Sequence, residues 1–176
     1  QDFFLFLGVF RYYKGLNYLL KAAQQTGLDV VIGGDGPESE KLYQYVHEHD
    51  LTNVHFLGYV TEQQKHALID LSRALILPSS ERSEAYGMVL LEAARQSTPM
   101  ISTELDSGTS YINAHNETGL VIPAKNSVQL AAAMQEMTGN EDMVKLMSIS
   151  AKKRFENHFT GEIMGKRYAE LYHSIL

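Results

Sequence analysis

Short apolar runs alternate with helix-period segments along the sequence, and this alternation limits the possible folds more than any other feature. Runs bounded by Gly, Pro or Asp are typical of strands buried on both faces. The predicted strands are residues 3–7, 29–32, 54–56, 74–77, 99–102 and 119–122. The predicted helices are residues 16–25, 39–48, 62–71, 88–96, 128–137, 141–157 and 162–175. This order predicts an α/β fold, a doubly wound six-stranded parallel sheet with flanking helices and a C-terminal helical tail.

Size and charge narrow the class of protein. The 176 residues suffice for one globular domain, so we expect a single domain over residues 1–176. A net charge of −6 argues against nucleic acid or an anionic membrane surface as a partner. The absence of cysteine excludes a disulfide framework and fits a cytoplasmic protein. The apolar stretch at residues 3–10 is too short to span a bilayer and lacks the flanks of a signal peptide. Because Gln1 leads directly into a predicted strand, we expect the chain to be part of a longer protein.

The loops that follow the strands carry the candidate site, because doubly wound sheets bind ligands beyond the carboxyl ends of their strands. The first loop contains Arg11 and Lys14, which are either the cations of a diphosphate site or ordinary surface residues. Residues 78–87 contain Glu84 and lead into a helix that contains Glu92. A carboxylate one turn inside a helix can accept ribose hydroxyls while the free amides at the helix start face a phosphate. The alternative is a capping acid followed by a solvated helix acid.

Other motifs point to no further chemistry. The segment Gly33-Gly-Asp-Gly-Pro37 resembles the start of a dinucleotide fingerprint, but the third glycine position, counted from Gly34, is Ser39. We therefore interpret it as a tight turn before a helix. The histidines are scattered and no Asp-x-Asp pair occurs, so we expect neither a metal site nor a divalent metal cofactor. No G-x-S-x-G elbow is present, which argues against a serine hydrolase.

Six short motifs, all in register with predicted strand ends, carry a resemblance to a known family. They are Gly8…Lys14-Gly15, Gly34-Asp-Gly-Pro37, Val54-His-Phe-Leu-Gly58-Tyr-Val60, Pro78-Ser-Ser…Glu84-Ala-Tyr-Gly87…Glu92-Ala, Pro99-Met-Ile and Thr118-Gly-Leu-Val. Together they resemble the C-terminal, nucleotide-sugar-binding domain of the group 1 retaining glycosyltransferases (family 4 type), which have the GT-B fold. The resemblance covers nearly the whole chain and implies a Rossmann-like domain, one half of a GT-B fold.

The resemblance implies a role for each candidate residue. Glu84 would lie beside the donor sugar, and Glu92 would hold the ribose hydroxyls. Lys14 and the nearby Arg11 would neutralise the departing nucleoside diphosphate, so Glu84, Lys14 and Arg11 form the implied catalytic set. The residues implied to bind the nucleotide sugar are Gly8, Arg11, Lys14, Gly34, Tyr59, Val60, Glu84, Tyr86, Gly87, Met88, Val89 and Glu92. Fixed cations and helix-start amides stabilise a leaving diphosphate without a metal.

Three positions depart from the family pattern. Val9 stands where an arginine is usual, and we infer that Arg11 takes over its charge. Ser97 stands where a helix-ending glycine is usual. The segment Ser107-Gly-Thr-Ser-Tyr111 replaces a Gly-Gly…Glu pattern and resembles members that build bacterial surface polysaccharides. That variant favours GDP-mannose over a UDP-sugar as donor.

The function implied is that of the donor-binding half of a hexosyltransferase. It would transfer mannose from GDP-mannose, or a hexose from a UDP-sugar, to a growing surface polysaccharide such as lipopolysaccharide or to a lipid-linked glycan. An N-terminal domain absent from this chain would bind the acceptor and bring the enzyme to the inner face of the membrane, so the chain alone would be inactive. Three alternatives stay open: half of a nucleotide-sugar 2-epimerase, a free-standing nucleotide- or dinucleotide-binding module, and a scaffold that binds no nucleotide.

Overall fold

The computed structural model describes residues 3–175. The strands in this part of the chain are β1 (Phe3–Leu7), β2 (Asp29–Gly33), β3 (Val54–Gly58), β4 (Ala74–Leu77), β5 (Met100–Glu104) and β6 (Gly119–Pro123). The helices are α1 (Leu16–Thr26), α2 (Ser39–Glu48), α3 (Glu62–Leu71), α4 (Met88–Arg95), α5 (Thr109–Ile112), α6 (Ser127–Gly139), α7 (Glu141–His158) and α8 (Gly161–Ile175).

The strands form one parallel sheet in the order β3-β2-β1-β4-β5-β6. Phe4 of β1 pairs with Val30 of β2 on one side and with Ala74 of β4 on the other. The chain therefore moves outward in one direction from β1 to β3 and in the opposite direction from β4 to β6. Right-handed crossovers then place α1 and α2 on one face and α3 and α4 on the other. The predicted doubly wound, six-stranded parallel sheet is confirmed.

The core lies around the two central strands, which have helices on both faces. Phe4, Leu5 and Phe6 of β1 and all four residues of β4 are buried, as expected for parallel strands covered on both sides. The helix α6 packs against α1, and α7 packs against α4. The last helix, α8, contacts α7 and has no buried residue, so the predicted helical tail is present. Within residues 3–175 no helix is both long and apolar enough to cross a bilayer.

The bounds predicted for β1, β4, α2 and α3 agree with the structure, and the other long elements differ by a few residues at their ends. Two short elements were not predicted, a 3₁₀ turn at Tyr12–Lys14 and the single-turn helix α5. Each is too short to show the apolar periodicity from which a helix is predicted. The turn at Tyr12–Lys14 lies in the first loop of the candidate site and sets the position of Lys14.

Two close approaches of the backbone fix the loop after β1 against its neighbours. Gly15 has φ 70°, and a Cβ there would lie 1.9 Å from the carbonyl oxygen of Pro78, in the loop after β4. Gly34 has φ 131°, and a Cβ there would lie 2.0 Å from the carbonyl oxygen of Gly8. Only glycine permits both the positive φ and the contact. The loops after β1, β2 and β4 therefore meet at the carboxyl edge of the sheet.

Candidate functional site

A cleft opens at this edge, where the strand order changes direction between β1 and β4. It consists of a larger cavity of about 540 Å³ and a smaller one of about 300 Å³. Leu7, Gly8 and Lys65 line both cavities and so join them. Doubly wound sheets bind their ligands at this switch point.

Glu84 lies at the base of the larger cavity, where it is only 8% exposed. The Nζ of Lys14 donates a hydrogen bond to Oε2 of Glu84 in an ion pair, and Oγ of Ser79 donates to the same oxygen at 2.9 Å. The two loops are also joined through the backbone, because the amide of Ser80 donates to the carbonyl of Tyr13 at 2.7 Å. The structure thus brings two of the three implied catalytic residues into direct contact. It adds Ser79, which the sequence motif contains without a predicted role.

The first turn of α4 opens onto the same cavity. Gly87, its N-cap, has φ 76° and offers no side chain to cap the helix. Gly87, Met88 and Val89 all line the larger cavity. Because the first amides of a helix have no acceptor within it, this end presents donors and a partial positive charge to the cleft. The preceding loop is anchored from the other side, where the amide of Gly108 donates to the carbonyl of Ala85 at 2.9 Å.

Lys65 is absent from the residues that the sequence predicts. It lies on α3, and its Nζ donates to Oε1 of Glu92 at 3.0 Å and contacts Oε2 of Glu62 at 2.8 Å. Burial lowers the pKa of Lys65, but the hydrogen bonds to Glu62 and Glu92 outweigh burial and raise the pKa overall. The ammonium therefore stays charged at neutral pH. The signal in the sequence is a cation early in a helix that starts at the cleft, three residues after an acid.

The other predicted residues divide between the two cavities, with one exception. The larger cavity is lined by Gly8, Lys14, Glu84, Tyr86, Gly87, Met88, Val89 and Glu92, and the smaller one by Gly8, Gly34, Tyr59 and Val60. Arg11 is exposed and lies outside the lining of both cavities. Val9, for which the resemblance led us to expect an arginine, lines the smaller cavity. The role inferred for Arg11 therefore requires its side chain to move toward a bound ligand.

The glycine-rich segment after β2 forms a tight turn. The amide of Ser39 donates to the carbonyl of Gly36 at 3.0 Å, and the side chain of Ser39 donates to the carboxylate of Asp35. That hydrogen bond, with a second from the amide of Gly36, lowers the pKa of Asp35. The turn interpretation is confirmed, and Gly34 serves the close approach to the loop after β1.

Two other cavities contain none of the predicted catalytic residues, although Tyr86 and Met88 of the predicted binding set also line the second. An open one of about 710 Å³ beside the edge strand β6 is lined by Glu104, Ser110 and His115, among others. A largely apolar groove of about 410 Å³ lies between α4 and the helical tail, with Leu91, Phe159 and Leu171 in its walls. Neither cavity contains Glu84, Glu92 or Lys14. Within the described residues no group of three or more His, Asp or Glu side chains is arranged to hold a metal ion.

Comparison with known proteins establishes the family. The family model described as "Glycosyl transferases group 1" matches residues 1–154. The chain belongs to the group 1 glycosyltransferases. It is 42% identical to O-antigen chain mannosyltransferase C of Escherichia coli over 176 residues, which cover 100% of this chain and 47% of that protein. It is 48% identical to D-rhamnosyltransferase WbpZ of Pseudomonas aeruginosa over 158 residues, covering 90% of this chain and 42% of that protein. The chain thus spans less than half the length of these relatives.

Two solved structures have the same fold as this chain. HepE of Anabaena in complex with UDP superposes with a TM-score of 0.90 at 19% identity, covering 98% of this chain and 49% of that one. The lipopolysaccharide outer core galactosyltransferase WaaB, in its apo form, gives a TM-score of 0.85 at 21% identity, covering 99% of this chain and 50% of that one. The prediction of a Rossmann-like, C-terminal domain of a group 1 glycosyltransferase is confirmed.

Proposed function

We propose that this chain binds the nucleotide-sugar donor of a retaining hexosyltransferase whose acceptor binds to a second domain. The observation that carries the proposal is the ion pair of Lys14 with Glu84, which lies beside the uncapped first turn of α4 in one cleft. A cation and a set of helix-start amides suit a diphosphate, and two carboxylates suit the hydroxyls of a sugar and a ribose.

Each of the cleft residues has its own role in the proposed transfer. The bond between the anomeric carbon and the diphosphate oxygen breaks with its electron pair on the diphosphate. The acceptor oxygen bonds to that carbon from the same face, and its proton passes to the departing phosphate oxygen. Negative charge therefore grows on the diphosphate, where Lys14 and the amides of residues 87–89 stabilise it without reorganising. Glu84 lies beside the sugar, Glu92 binds the ribose, and Arg11 adds a second cation on moving inward.

The donor that we propose is GDP-mannose, with the base in the smaller cavity against Tyr59 and Val60. One relative is named a mannosyltransferase of the O-antigen chain and another a D-rhamnosyltransferase, which supports transfer of a hexose to a surface polysaccharide. The structural neighbour bound to UDP supports a nucleoside diphosphate as the ligand class. No group of side chains in the described residues is arranged to hold a metal ion, and the cations and helix-start amides of the cleft can compensate the diphosphate, so we propose binding without a divalent cation.

Calorimetry on the chain with GDP, UDP, ADP and NAD, all in EDTA, tests the proposal. We expect GDP to bind most tightly and Lys14→Met to weaken it, while Lys41→Met, at an exposed position of α2, serves as the matched control. Preferential binding of NAD would indicate a dinucleotide module, and binding of none of the four would indicate a scaffold. Binding that requires Mg²⁺ or Mn²⁺ would contradict the metal-free site. Interconversion of the nucleotide sugar by the two-domain enzyme, without transfer, would indicate a 2-epimerase.

A further inference from the structure

Lys65 occupies the junction of the two cavities. Of the three residues that line both, it is the charged one, so a ligand that extends from one cavity into the other passes its ammonium. Its side chain is 19% exposed, although its partner Glu62 is 79% exposed. An ordinary surface pair at i, i+3 leaves both groups in water. The burial of Lys65 therefore reflects its position in the wall of the cleft.

The contact between Lys65 and Glu92 leaves one carboxylate oxygen available. Lys65 occupies Oε1 of Glu92, and among residues 3–175 no donor reaches Oε2 of that carboxylate. The side chain of Glu92 is one-third exposed and lines the larger cavity. A glutamate on a helix surface has several accessible rotamers, and an ion pair on one oxygen selects among them.

The backbone that carries Lys65 is itself held in place. Thr61 caps α3, because its side chain accepts from the amide of Gln64 while the side chain of Gln64 accepts from the amide of Thr61. Further along the same pair of helices, Gln96 donates to the carbonyl of His66 at 2.8 Å. The capping box thus holds the start of α3, and the bond from Gln96, the C-cap of α4, joins α3 to α4 next to Lys65.

The two lysines and two carboxylates of the cleft form a matched set. Lys14 pairs with Glu84 and Lys65 pairs with Glu92, and each pair joins a residue that precedes β4 to one that follows it. Without Lys65, the charge of Glu92 would oppose the binding of an anionic diphosphate in the same cleft. With Lys65 present, the carboxylate can approach the nucleoside without that penalty.

We propose that Lys65 is a positioning residue of the nucleotide site, which holds Glu92 so that its free oxygen accepts a ribose hydroxyl of the bound nucleotide. This inference rests on the proposed function, because it assumes that a nucleoside diphosphate occupies the cleft. It gives α3 a role in recognising the ribose, although none of the six sequence motifs includes Lys65.

The test compares Lys65→Met with Glu62→Gln, which removes the exposed partner of the same lysine and leaves the cleft wall intact. Calorimetry measures the affinity for whichever of GDP and UDP binds the wild-type chain and for its 2′,3′-dideoxy analogue. We expect Lys65→Met to weaken the natural nucleotide by about 10-fold or more and Glu62→Gln by less than about 2-fold. Lys65→Arg should retain most of the affinity. The wild-type preference for the ribonucleotide over the dideoxy analogue should disappear in Lys65→Met.

A double-variant cycle separates positioning from a general loss of stability. Because Lys65 acts through Glu92, Lys65→Met with Glu92→Gln should bind no more weakly than Glu92→Gln alone. If Lys65→Met does not fold, as judged by thermal unfolding, Lys65→Gln takes its place. A Lys65 variant that keeps the wild-type preference for the ribonucleotide would overturn this inference and leave the proposed function standing. If the wild-type chain binds neither GDP nor UDP, both are overturned.

Discussion

Lys14 and Glu84 are 70 positions apart in the sequence, yet their side chains form an ion pair at the base of the cleft. The pair exists because β1 and β4 are neighbours in the sheet, so that the loops leaving them meet. Gly15 permits the close contact with Pro78, and Ser79 orients the carboxylate. Two strands, β2 and β3, lie between β1 and β4 in the sequence, but β1 and β4 are neighbours in the sheet, and this brings the two residues together.

The two glutamates of the cleft should respond differently to the same substitution. Glu92→Gln should weaken a nucleoside diphosphate by about 1.5–3 kcal/mol, because a charge-assisted hydrogen bond to the ribose is lost. Glu84→Gln should leave the affinity for the bare nucleotide unchanged or higher, since Lys14 loses its anionic partner, but it should greatly reduce transfer by the two-domain enzyme. Calorimetry and steady-state kinetics measure the two effects. Equal losses of nucleotide affinity in both variants would contradict these roles.

The cations of the first loop should affect turnover more than donor binding, since the charge on the leaving diphosphate is largest in the transition state. We expect Lys14→Ala to lower the turnover of the two-domain enzyme by about 100-fold or more. Arg11→Ala should cause a smaller loss, and Arg11→Lys should recover part of it because lysine lacks the bidentate geometry of a guanidinium. Steady-state kinetics on the three variants decide the matter. Wild-type turnover in Arg11→Ala would exclude Arg11 as the second cation for the diphosphate.

Gly15 and Gly27 provide a matched test of the close backbone approach. Their φ values are 70° and 67°, but a Cβ on Gly27 would meet nothing within 4 Å, whereas one on Gly15 would collide with Pro78. Gly27→Ala should cost about 1–2 kcal/mol for the left-handed conformation alone. Gly15→Ala should cost about 1–3 kcal/mol more, because the loops must separate. Urea denaturation of both variants measures the difference, and equal costs would show that the collision is relieved elsewhere.

Ser97 ends α4 with φ 62°, the left-handed conformation that glycine adopts without strain. The turn is completed by the amide of Thr98, which donates to the carbonyl of Ala93 at 2.9 Å. We expect Ser97→Gly to stabilise the protein by up to about 1 kcal/mol, since relief of strain exceeds the added entropy of the unfolded chain. That gain corresponds to a rise of about 2–4 °C in Tm. Ser97→Ala keeps the strained φ and should give no increase.

The carboxylate of Glu104 should make stability depend on pH in the acid range. Hydrogen bonds from the amide of Asp106 and the hydroxyl of Ser110 lower its pKa below the ordinary value of 4.5. A carboxyl with a lowered folded-state pKa adds stability above its unfolded pKa, and that stability is lost as the pH falls through the folded value. Glu104→Gln should therefore lower the free energy of unfolding near neutral pH, and its difference from wild type should shrink below pH 4.5.

Urea denaturation at a series of pH values measures this dependence. Glu117→Gln is the control, because Glu117 is exposed and its side chain has no hydrogen-bond partner among the described residues. A difference between Glu104→Gln and wild type that persists unchanged in acid would show that the two hydrogen bonds do not depend on the charge.

The sequence predicts the fold well because its signals are local. Burial on both faces gives β1 and β4 unbroken apolar runs, and the capping box of Thr61 and Gln64 marks the start of α3. The strand order has no such local signal, and the doubly wound arrangement follows from alternation and handedness alone.

The site was predictable only where a motif marks it. The motif around Glu84 and Glu92 identifies the acids but not their partners, because Lys14 and Lys65 reach them through contacts that are distant in sequence. Lys65 has the sequence context of a helix surface lysine, and its burial follows from the packing of α3 beside α4. Arg11 is the opposite case. Its position in the first loop predicts that it lies in the cleft, but in the structure it precedes the 3₁₀ turn and is exposed.

The lysines and the glutamates of the cleft come from different halves of the chain, which affects how the two halves associate. Residues 3–73 supply both lysines of the cleft, and residues 74–175 supply both glutamates and the open start of α4. Within the sheet these halves are hydrogen-bonded to each other along β1 and β4. A nucleotide bound in the cleft would therefore contact both segments, residues 3–73 and residues 74–175, and hold them together. Two separately produced fragments divided before Ala74 would reassemble more readily in its presence, and the ligand would complete the fold as well as occupy it.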